Sequence, residues 1–263
     1  MSKQIKTRRK IIVLVGLMVL AGAVFSVYVM IIQANMEQAV LYPLDSSYHL
    51  TGSYEIDPNT ILAALDRGET DIFTPIPATE NAPYTPFPVG LYPWSQSDYL
   101  NLANALHKFV WKESLKGWRL YSMYFFRGCQ DSPTGFDSGG ITYFKAIYGP
   151  FSYTTRVMDI YPVGNGVSWG GGANLPRPLS GWMSIDLERL KVTADDALQI
   201  AEKNGGKEFR SKVKNACTID IFLNPNPGGS DDWIVYYNNA GYFVFEMHLD
   251  PYTGEFEVLK VNQ

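Results

Sequence analysis

The chain contains one motif that is typical of a catalytic serine. Residues 166–170 read Gly-Val-Ser-Trp-Gly, which matches the G-x-S-x-G pattern around the nucleophile of serine hydrolases. The other members of such a site follow in the required chain order, namely Asp220, Asp231, Asp232 and His248. The motif needs a helix directly after the serine, but residues 170–178 are rich in glycine and proline and cannot open one. We therefore expect a glycine-rich loop here, with hydrolysis by Ser168 as the alternative.

The remaining side chains that could do chemistry are few and scattered. The three histidines, His49, His107 and His248, show none of the usual spacings of zinc ligands. Asp231 and Asp232 lack the ladder of oxygen ligands that Ca²⁺ requires, so a solvated turn is expected there. We place His248 on an exposed sheet face, with a pH-sensitive contact as the alternative, and His107 where a helix C-terminus favours a cation. The sequence therefore predicts no catalytic residue, no metal site and no cofactor.

Cys129 and Cys217 are the only two cysteines of the chain. Outside the cytoplasm such a pair can form one disulfide, whereas the alternative is two buried free thiols that behave as small hydrophobic side chains. We expect the disulfide, because the N-terminal sequence described next predicts export.

The first 32 residues have the pattern of a membrane anchor. Residues 11–32 carry no charge and, as a helix, would extend about 33 Å, enough for a hydrocarbon core of about 30 Å. The tail 1–10 holds five basic residues and no acid, which predicts a cytoplasmic N-terminus. The alternative, a cleaved signal peptide, has a shorter apolar run and a small-residue cleavage site, which Ile32-Gln33-Ala34 matches poorly. We expect a single-pass protein of the cell membrane whose C-terminal domain is extracytoplasmic.

The composition indicates a folded, acidic domain after the anchor. Hydrophobic residues make up 46% of the chain and charged residues 18%, which is typical of a sizeable core. Aromatic residues make up 14%, which favours β-structure. Beyond residue 32 the chain holds 17 basic and 26 acidic residues. This negative charge argues against nucleic acid or anionic lipid as the partner of the domain.

Residues 33–94 are predicted to form a stalk that contains one short helix. The stalk runs from Gln33 to about Ser53, and the helix starts at Asp57-Pro58 and ends at Gly68. Residues 74–93 are rich in proline, which favours an extended, semi-rigid spacer. The alternative for this stretch is a ligand for an aromatic groove.

The rest of the chain is organised as a tandem repeat. The capping box Ser95–Asp98 recurs 98 residues later as Thr193–Asp196, and each begins an amphipathic helix. Strand-like runs follow the helices at 118–126, 141–147, 153–161, 218–223, 233–237, 242–249 and 255–261. We predict an α+β fold of two helix-plus-antiparallel-sheet units, residues 95–182 and 183–263, that bury faces against each other.

The first unit is dense in aromatic side chains. They are Tyr121, Tyr124, Phe125, Phe126, Tyr143, Phe144, Tyr148, Phe151 and Tyr153. Because side chains alternate between the faces of a strand, about half of them should be core. We expect the other half between the two units, with an exposed recognition surface as the alternative.

The second unit resembles the PepSY-like family of small extracytoplasmic domains. The resemblance rests on residues 192–201 (Val-Thr-Ala-Asp-Asp-Ala-Leu-Gln-Ile-Ala), Trp233–Tyr237, Phe243–Asp250 and the closing Thr253-Gly254-Glu255, and covers about residues 192–260. Residues 95–170 form a weaker copy that lacks the D-x-x-T-G-E turn. The resemblance implies an antiparallel sheet covered by a helix. It also implies a regulatory or inhibitory role near exported peptidases, or a sensory role on membrane proteins, and brings no catalytic residues.

These observations predict a membrane-anchored, extracytoplasmic, non-catalytic binding or regulatory module. Its expected partner is a protein at or near the outer membrane face. One alternative is a membrane-anchored serine hydrolase that uses Ser168. The other is an accessory subunit of a larger membrane complex, because small residues in the anchor (Gly16, Ala21, Gly22 and Ala23) would let another helix approach closely.

Overall fold

A computed structural model describes ten segments of the chain: residues 13–29, 46–50, 57–75, 94–129, 135–148, 152–161, 166–174, 184–224, 231–239 and 243–261. The chain divides into two compact units, residues 1–38 and residues 39–263, which are called the first and the second unit from here on. The two predicted helix-plus-sheet units, 95–182 and 183–263, both belong to the second unit and are called the first and the second repeat. Helix α1 covers 13–29 in the first unit, and its large hydrophobic side chains are exposed, from 36% at Val29 to 67% at Val19. None of the described helices is both long and apolar enough to cross a membrane. Residues 1–12 and 30–32 of the predicted tail and anchor lie outside the described segments.

The second unit has an α+β fold, as predicted. Its elements are β1 (Ser46–Leu50), α2 (Pro58–Arg67), β2 (Phe73–Pro75), α3 (Gln96–Trp111), β3 (Arg119–Gly128), β4 (Ser138–Tyr148), β5 (Ser152–Tyr161), β6 (Gly166–Asn174), α4 (Ala194–Ala201), a π-helical turn (Glu202–Gly206), α5 (Lys207–Lys212), β7 (Thr218–Leu223), β8 (Trp233–Asn239), β9 (Phe243–Leu249) and β10 (Phe256–Val261). The ten strands form one sheet in the order β10-β9-β8-β7-β3-β4-β5-β6-β1-β2, and every pair in it is antiparallel.

The two repeats join at their edges. Each consists of a helix followed by a meander of four strands, and the first strands of the two meanders, β3 and β7, pair from Met123↔Leu223 to Gly128↔Thr218. The expectation that the repeats bury faces against each other is therefore wrong. Each repeat already covers one face with its own helix, while an open edge strand leaves backbone N–H and C=O groups that need partners. Edge pairing satisfies those groups.

Two hydrogen bonds and one disulfide also stabilise this junction. The backbone N–H of Gln96 donates to Asp195 Oδ2 over 2.8 Å, and the backbone N–H of Ala194 donates to Gln96 Oε1 over 2.6 Å. The starts of α3 and α4 thus cap each other. Cys129 and Cys217 form a disulfide between the end of β3 and the start of β7, with their Cα atoms 5.1 Å apart. Hydrogen bonds and one covalent bond therefore hold the two repeats together.

The helices begin where the sequence predicts. Ser95 and Thr193 each accept from the backbone three residues on, and both capping boxes are complete. Asp57 caps α2, and Gly68 ends it with a φ of 73°. The second repeat helix, α4, ends at Ala201, and the chain continues as the π-helical turn Glu202–Gly206 before α5 begins.

Part of the predicted stalk and spacer belongs to the sheet. Residues Ser46–Leu50 form β1, which pairs with β6 on one side and with β2 (Phe73–Pro75) on the other. Burial explains this difference, since Tyr48 stacks on Trp169 of β6 with ring centroids 4.5 Å apart. The remaining stalk and spacer residues, 33–45, 51–56 and 76–93, lie outside the described segments.

The core lies on the face of the sheet that the helices cover. Helix α3 packs on β4 and β5, and α4 packs on β7 and β8. Of the clustered aromatic residues, Phe125, Tyr143 and Phe144 are buried, whereas Tyr124 is 42% exposed. The expected burial of the other aromatic residues between the faces of the two repeats is wrong, because the repeats meet at their edges. The side chains of residues 148, 151 and 153 lie outside the described part.

Candidate functional site

Ser168 lies within strand β6 and not on a turn before a helix. The strand continues to Asn174, so the predicted glycine-rich loop is wrong and the geometry of a nucleophile elbow is not formed. The Ser168 hydroxyl donates to Asp159 Oδ2 over 3.4 Å. Gly171 has a packing reason, because a Cβ there would lie 2.7 Å from the Arg156 guanidinium.

The structure does not bring the other hydrolase candidates to Ser168. Asp220 lies on β7 and His248 on β9, while four strand spacings, about 19 Å, separate β7 from β6. Asp231 and Asp232 precede β8 and are half-buried. Among the described residues, no group of three or more His, Cys, Asp or Glu side chains could hold a metal ion.

A different surface gathers aromatic and acidic side chains. We call it the outward face, defined as the side of β3, β7, β8 and β9 that points away from the helices. Cross-strand pairing arranges it in two rows. The first row is Phe126, Asp220, Tyr236 and Glu246, and the second is Tyr124, Phe222, Ile234 and His248.

The outward face is open in the described structure. Burial alternates along each strand, so that Ile221, Val235 and Met247 on the helix side are fully buried. Their outward neighbours are half-exposed, and no described helix or strand of the second unit lies on them. Large apolar side chains on an uncovered sheet face are typical of a binding surface.

The polar groups of the outward face include two carboxylates, those of Asp220 and Glu246. Tyr124 Oη donates to Asp220 Oδ1 over 2.5 Å. Partial burial raises the pKa of Asp220, and the hydrogen bond from Tyr124 opposes this. His248 lies on the outward side of the sheet, as predicted, and its Nε2 lies 3.0 Å from Glu246 Oε1. The arrangement can accept hydrogen bonds and bind positive charge.

A second polar cluster lies on the helix side, where it is sealed from solvent. The Arg156 guanidinium is 1% exposed and lies 4.8 Å from the ring centre of Trp111 and 5.1 Å from that of Trp118. Burial lowers the pKa of Arg156 to about 10, and the charge of Glu113 opposes this. His107 is fully buried beside them, so the expected cation at the end of α3 is wrong. Because these side chains are buried among the described residues, this cluster stabilises the fold.

Sequence reasoning found only part of the outward face, because the alternative of an exposed recognition surface included Tyr124 and Phe126 but no residue of β7, β8 or β9. Alternation within each strand predicts which residues share a face, but it does not tell which strands are neighbours. Tyr236 lies between Asp220 and Glu246 only because β7, β8 and β9 are adjacent. The alternating side chains of the predicted strands Trp233–Tyr237 and Phe243–Asp250 were the sequence signal that could have identified the outward residues of β8 and β9.

The turn that carries the family resemblance forms as the sequence predicts. Asp250 Oδ1 accepts from the backbone N–H groups of Tyr252 and Thr253 over 2.7 and 3.0 Å, and Gly254 has a φ of 85°. Although burial raises the pKa of Asp250, these hydrogen bonds outweigh it and hold the pKa below its ordinary value.

Comparison of the chain with protein-family models, curated proteins and solved structures finds no match.

Proposed function

We propose that this chain is a membrane-anchored, extracytoplasmic binding module that regulates or senses a protein partner and performs no catalysis itself. The observation that carries the proposal is the outward face, an uncovered set of aromatic, aliphatic and acidic side chains on a rigid sheet. Membrane attachment, export and binding each rest on separate features of the chain.

The N-terminal sequence supports the anchor. Residues 11–32 have no charge, and within them helix α1 carries apolar side chains on all sides, such as Leu14, Leu17 and Phe25. A helix that is hydrophobic all round is suited to lipid. The five bases before it favour a cytoplasmic N-terminus.

The disulfide supports a location outside the cytoplasm for the second unit. Cys129 and Cys217 belong to different repeats, and their bond closes 88 residues of chain separation. Such bonds persist in oxidising compartments and are rare where thiols are kept reduced.

The geometry at Ser168 supports a non-catalytic role. A catalytic serine needs a base within hydrogen-bond reach and donors for the oxyanion. The Ser168 hydroxyl instead points at Asp159 from the middle of a strand, and burial raises the pKa of this carboxyl. We therefore propose no serine hydrolase activity.

The second repeat supports the PepSY-like assignment as a proposal. It has a helix with a T-x-x-x-A start, four antiparallel strands and the turn Asp250–Glu255. On this assignment, binding by the module controls an exported or membrane protein.

Photo-crosslinking on intact membranes tests the proposal. A photoreactive amino acid is placed at Phe222 or Tyr236 on the outward face, with Lys203 on the exposed side of the π-helical turn as the matched control. We expect discrete light-dependent adducts from the two outward positions only. Protease added to the outer side should digest the second unit in the same preparation.

Two results would overturn the proposal. The first is equal or absent adducts from Phe222, Tyr236 and Lys203 at matched expression. The second is protection of the second unit from external protease while the N-terminal tail is digested. Labelling by a serine-directed active-site probe that is lost in Ser168→Ala would also contradict the non-catalytic assignment.

A further inference from the structure

We infer that the outward face binds a basic segment of its protein partner, with two positive side chains about 10 Å apart. The inference rests on the proposed function and specifies the chemistry of the partner. It follows from the sign of the charges on this face, from their spacing and from the aromatic side chains between them.

The charges on the outward side of the sheet are predominantly negative. Asp220 and Glu246 lie on the outward face, and Asp159 extends the same side of the sheet onto β5. In the described part of β3, β4, β5, β7, β8 and β9, Arg119 at the first residue of β3 is the one arginine or lysine on this side. On the neighbouring strand β10, Lys260 is paired with Glu246 and Glu257 with His248, so that the described strands β3–β5 and β7–β10 place four acidic and two basic residues on this side. His248 adds a cation only when it is protonated, and it already contacts Glu246. A positively charged partner is therefore complementary, whereas nucleic acid or anionic lipid would be repelled.

The two central carboxylates have a defined separation. Asp220 is paired with Tyr236 on one side of that tyrosine, and Glu246 is paired with it on the other. Asp220 on β7 and Glu246 on β9 are two strand spacings apart, and this separation is about 9.6 Å. A polyproline-type segment places residues i and i+3 on one side, about 9.3 Å apart. A segment with Lys or Arg at i and i+3 therefore matches both carboxylates at once.

The side chains between the carboxylates suit the rest of such a segment. The Tyr236 ring separates Asp220 from Glu246, and Phe222 and Ile234 flank it in the neighbouring row. Aromatic rings attract the alkyl stems and charged heads of Lys and Arg, and they pack against proline and leucine. The face thus offers apolar contact between two sites for positive charge.

Binding of synthetic peptides to the full chain in detergent micelles tests the inference. The probe is a fluorescein-labelled peptide with three Pro-Leu-Lys repeats, and the comparison peptides carry Glu or Gln in place of Lys. Fluorescence anisotropy should show saturable binding of the Lys peptide and none of the Glu peptide. The affinity should fall as salt rises, because half-exposed ion pairs are screened.

A matched pair of double variants locates the binding. Asp220→Asn with Glu246→Gln removes both carboxylates and keeps the acceptor for Tyr124 Oη. Glu188→Gln with Glu208→Gln makes the same charge change at exposed positions elsewhere. We expect about tenfold weaker binding of the Lys peptide in the first double variant, from two half-exposed ion pairs, and unchanged binding in the second.

The possible results separate the inference from the proposed function. Equal binding of the Lys and Glu peptides, or equal loss in both double variants, overturns the inference. Adducts from Phe222 and Tyr236 that persist in the Asp220→Asn, Glu246→Gln chain overturn it too, and they leave the binding function intact. Loss of those adducts in this double variant alone supports the inference.

Discussion

Protonation of His107 should destabilise the folded protein in mild acid. The His107 side chain is fully buried, and its Nδ1 lies 3.0 Å from the backbone oxygen of Glu113. Its Nε2 has no hydrogen-bond partner within the described part of the chain. The Trp118 ring lies 5.0 Å away, centre to centre, and the charge of Arg156 acts on His107 as well. A second positive charge in this enclosure is therefore unfavourable.

The size of the effect follows from the pKa of His107. Burial lowers this pKa from 6.5 to about 4; the hydrogen bond to the Glu113 carbonyl opposes the shift, and the Arg156 charge adds to it. Because the folded-state pKa is the lower one, the unfolded state binds the proton first as the pH falls. Above pH 6.5 the ring is neutral in both states and does not change the free energy of unfolding. This free energy falls as the pH drops from 6.5 to 4. A difference of about 2.5 pKa units corresponds to about 3 kcal/mol.

Urea unfolding at several pH values measures this loss. The free energy of unfolding is determined at pH 7.5, 6, 5 and 4 for the native sequence and for His107→Gln, which carries no charge at any of these values. Most carboxylates titrate alike in both proteins, so the difference between the two curves isolates His107. We expect that difference to change by about 3 kcal/mol in favour of the variant as the pH falls from 7.5 to 4.

The half-exposed His248 provides the control. At pH 7.5 the free energy of unfolding of His248→Gln should lie within about 1 kcal/mol of that of the native sequence, because a partly exposed contact such as the one between His248 and Glu246 contributes little. Parallel curves for His107→Gln and the native sequence would refute the reasoning, since they would mean that His107 titrates equally in the folded and unfolded states.

Three further changes test how the sheet is held together. Replacing Cys129 and Cys217 by alanine should lower the free energy of unfolding by about 4–5 kcal/mol, because the bond spans 88 residues of sequence. Glu202→Ala should cost about 3–5 kcal/mol, because it removes the carboxylate that pairs with Arg210, a side chain only 4% exposed. Gln96→Ala should cost about 1–3 kcal/mol, because a buried backbone N–H at the start of α4 loses its acceptor. Urea unfolding at pH 7.5 measures all three.

Each of these changes has an internal control. Reducing agent should destabilise the native sequence as much as the double alanine change and leave the double variant unaffected. Glu208→Ala on the exposed side of α5 should stay within about 0.5 kcal/mol of the native sequence. Costs below about 0.5 kcal/mol for Gln96→Ala or Glu202→Ala would contradict the described contacts.

Local signals predicted most individual elements of the second unit. Both capping boxes begin helices, and Thr218–Leu223 forms a strand over the predicted residues. These features depend on a few neighbouring residues, such as Ser95 with Asp98, and so they can be read from the sequence alone. The turn at Gly254 belongs to the same class.

The errors concern contacts between residues that are distant in sequence. Residues 166–174 have a glycine-rich composition that favours a loop, but pairing with β5 and β1 makes them a strand. His107 has the position of a helix-end cation, but Trp111 and Trp118 bury it. The outward-face residues of β7, β8 and β9 were missed for the same reason, because the neighbours of a strand are set by the whole sheet.

The bond between Cys129 and Cys217 also has a mechanical consequence. A pulling force applied to the chain at β1 and to a ligand on β7–β9 must cross the pair β3–β7, since that pair is the junction in the strand order. Hydrogen bonds between two strands yield under load one after another when they are peeled apart. The disulfide lies at one end of this pair, so peeling from that end is blocked by a covalent bond. The sheet can therefore carry tension between its two repeats as one continuous body.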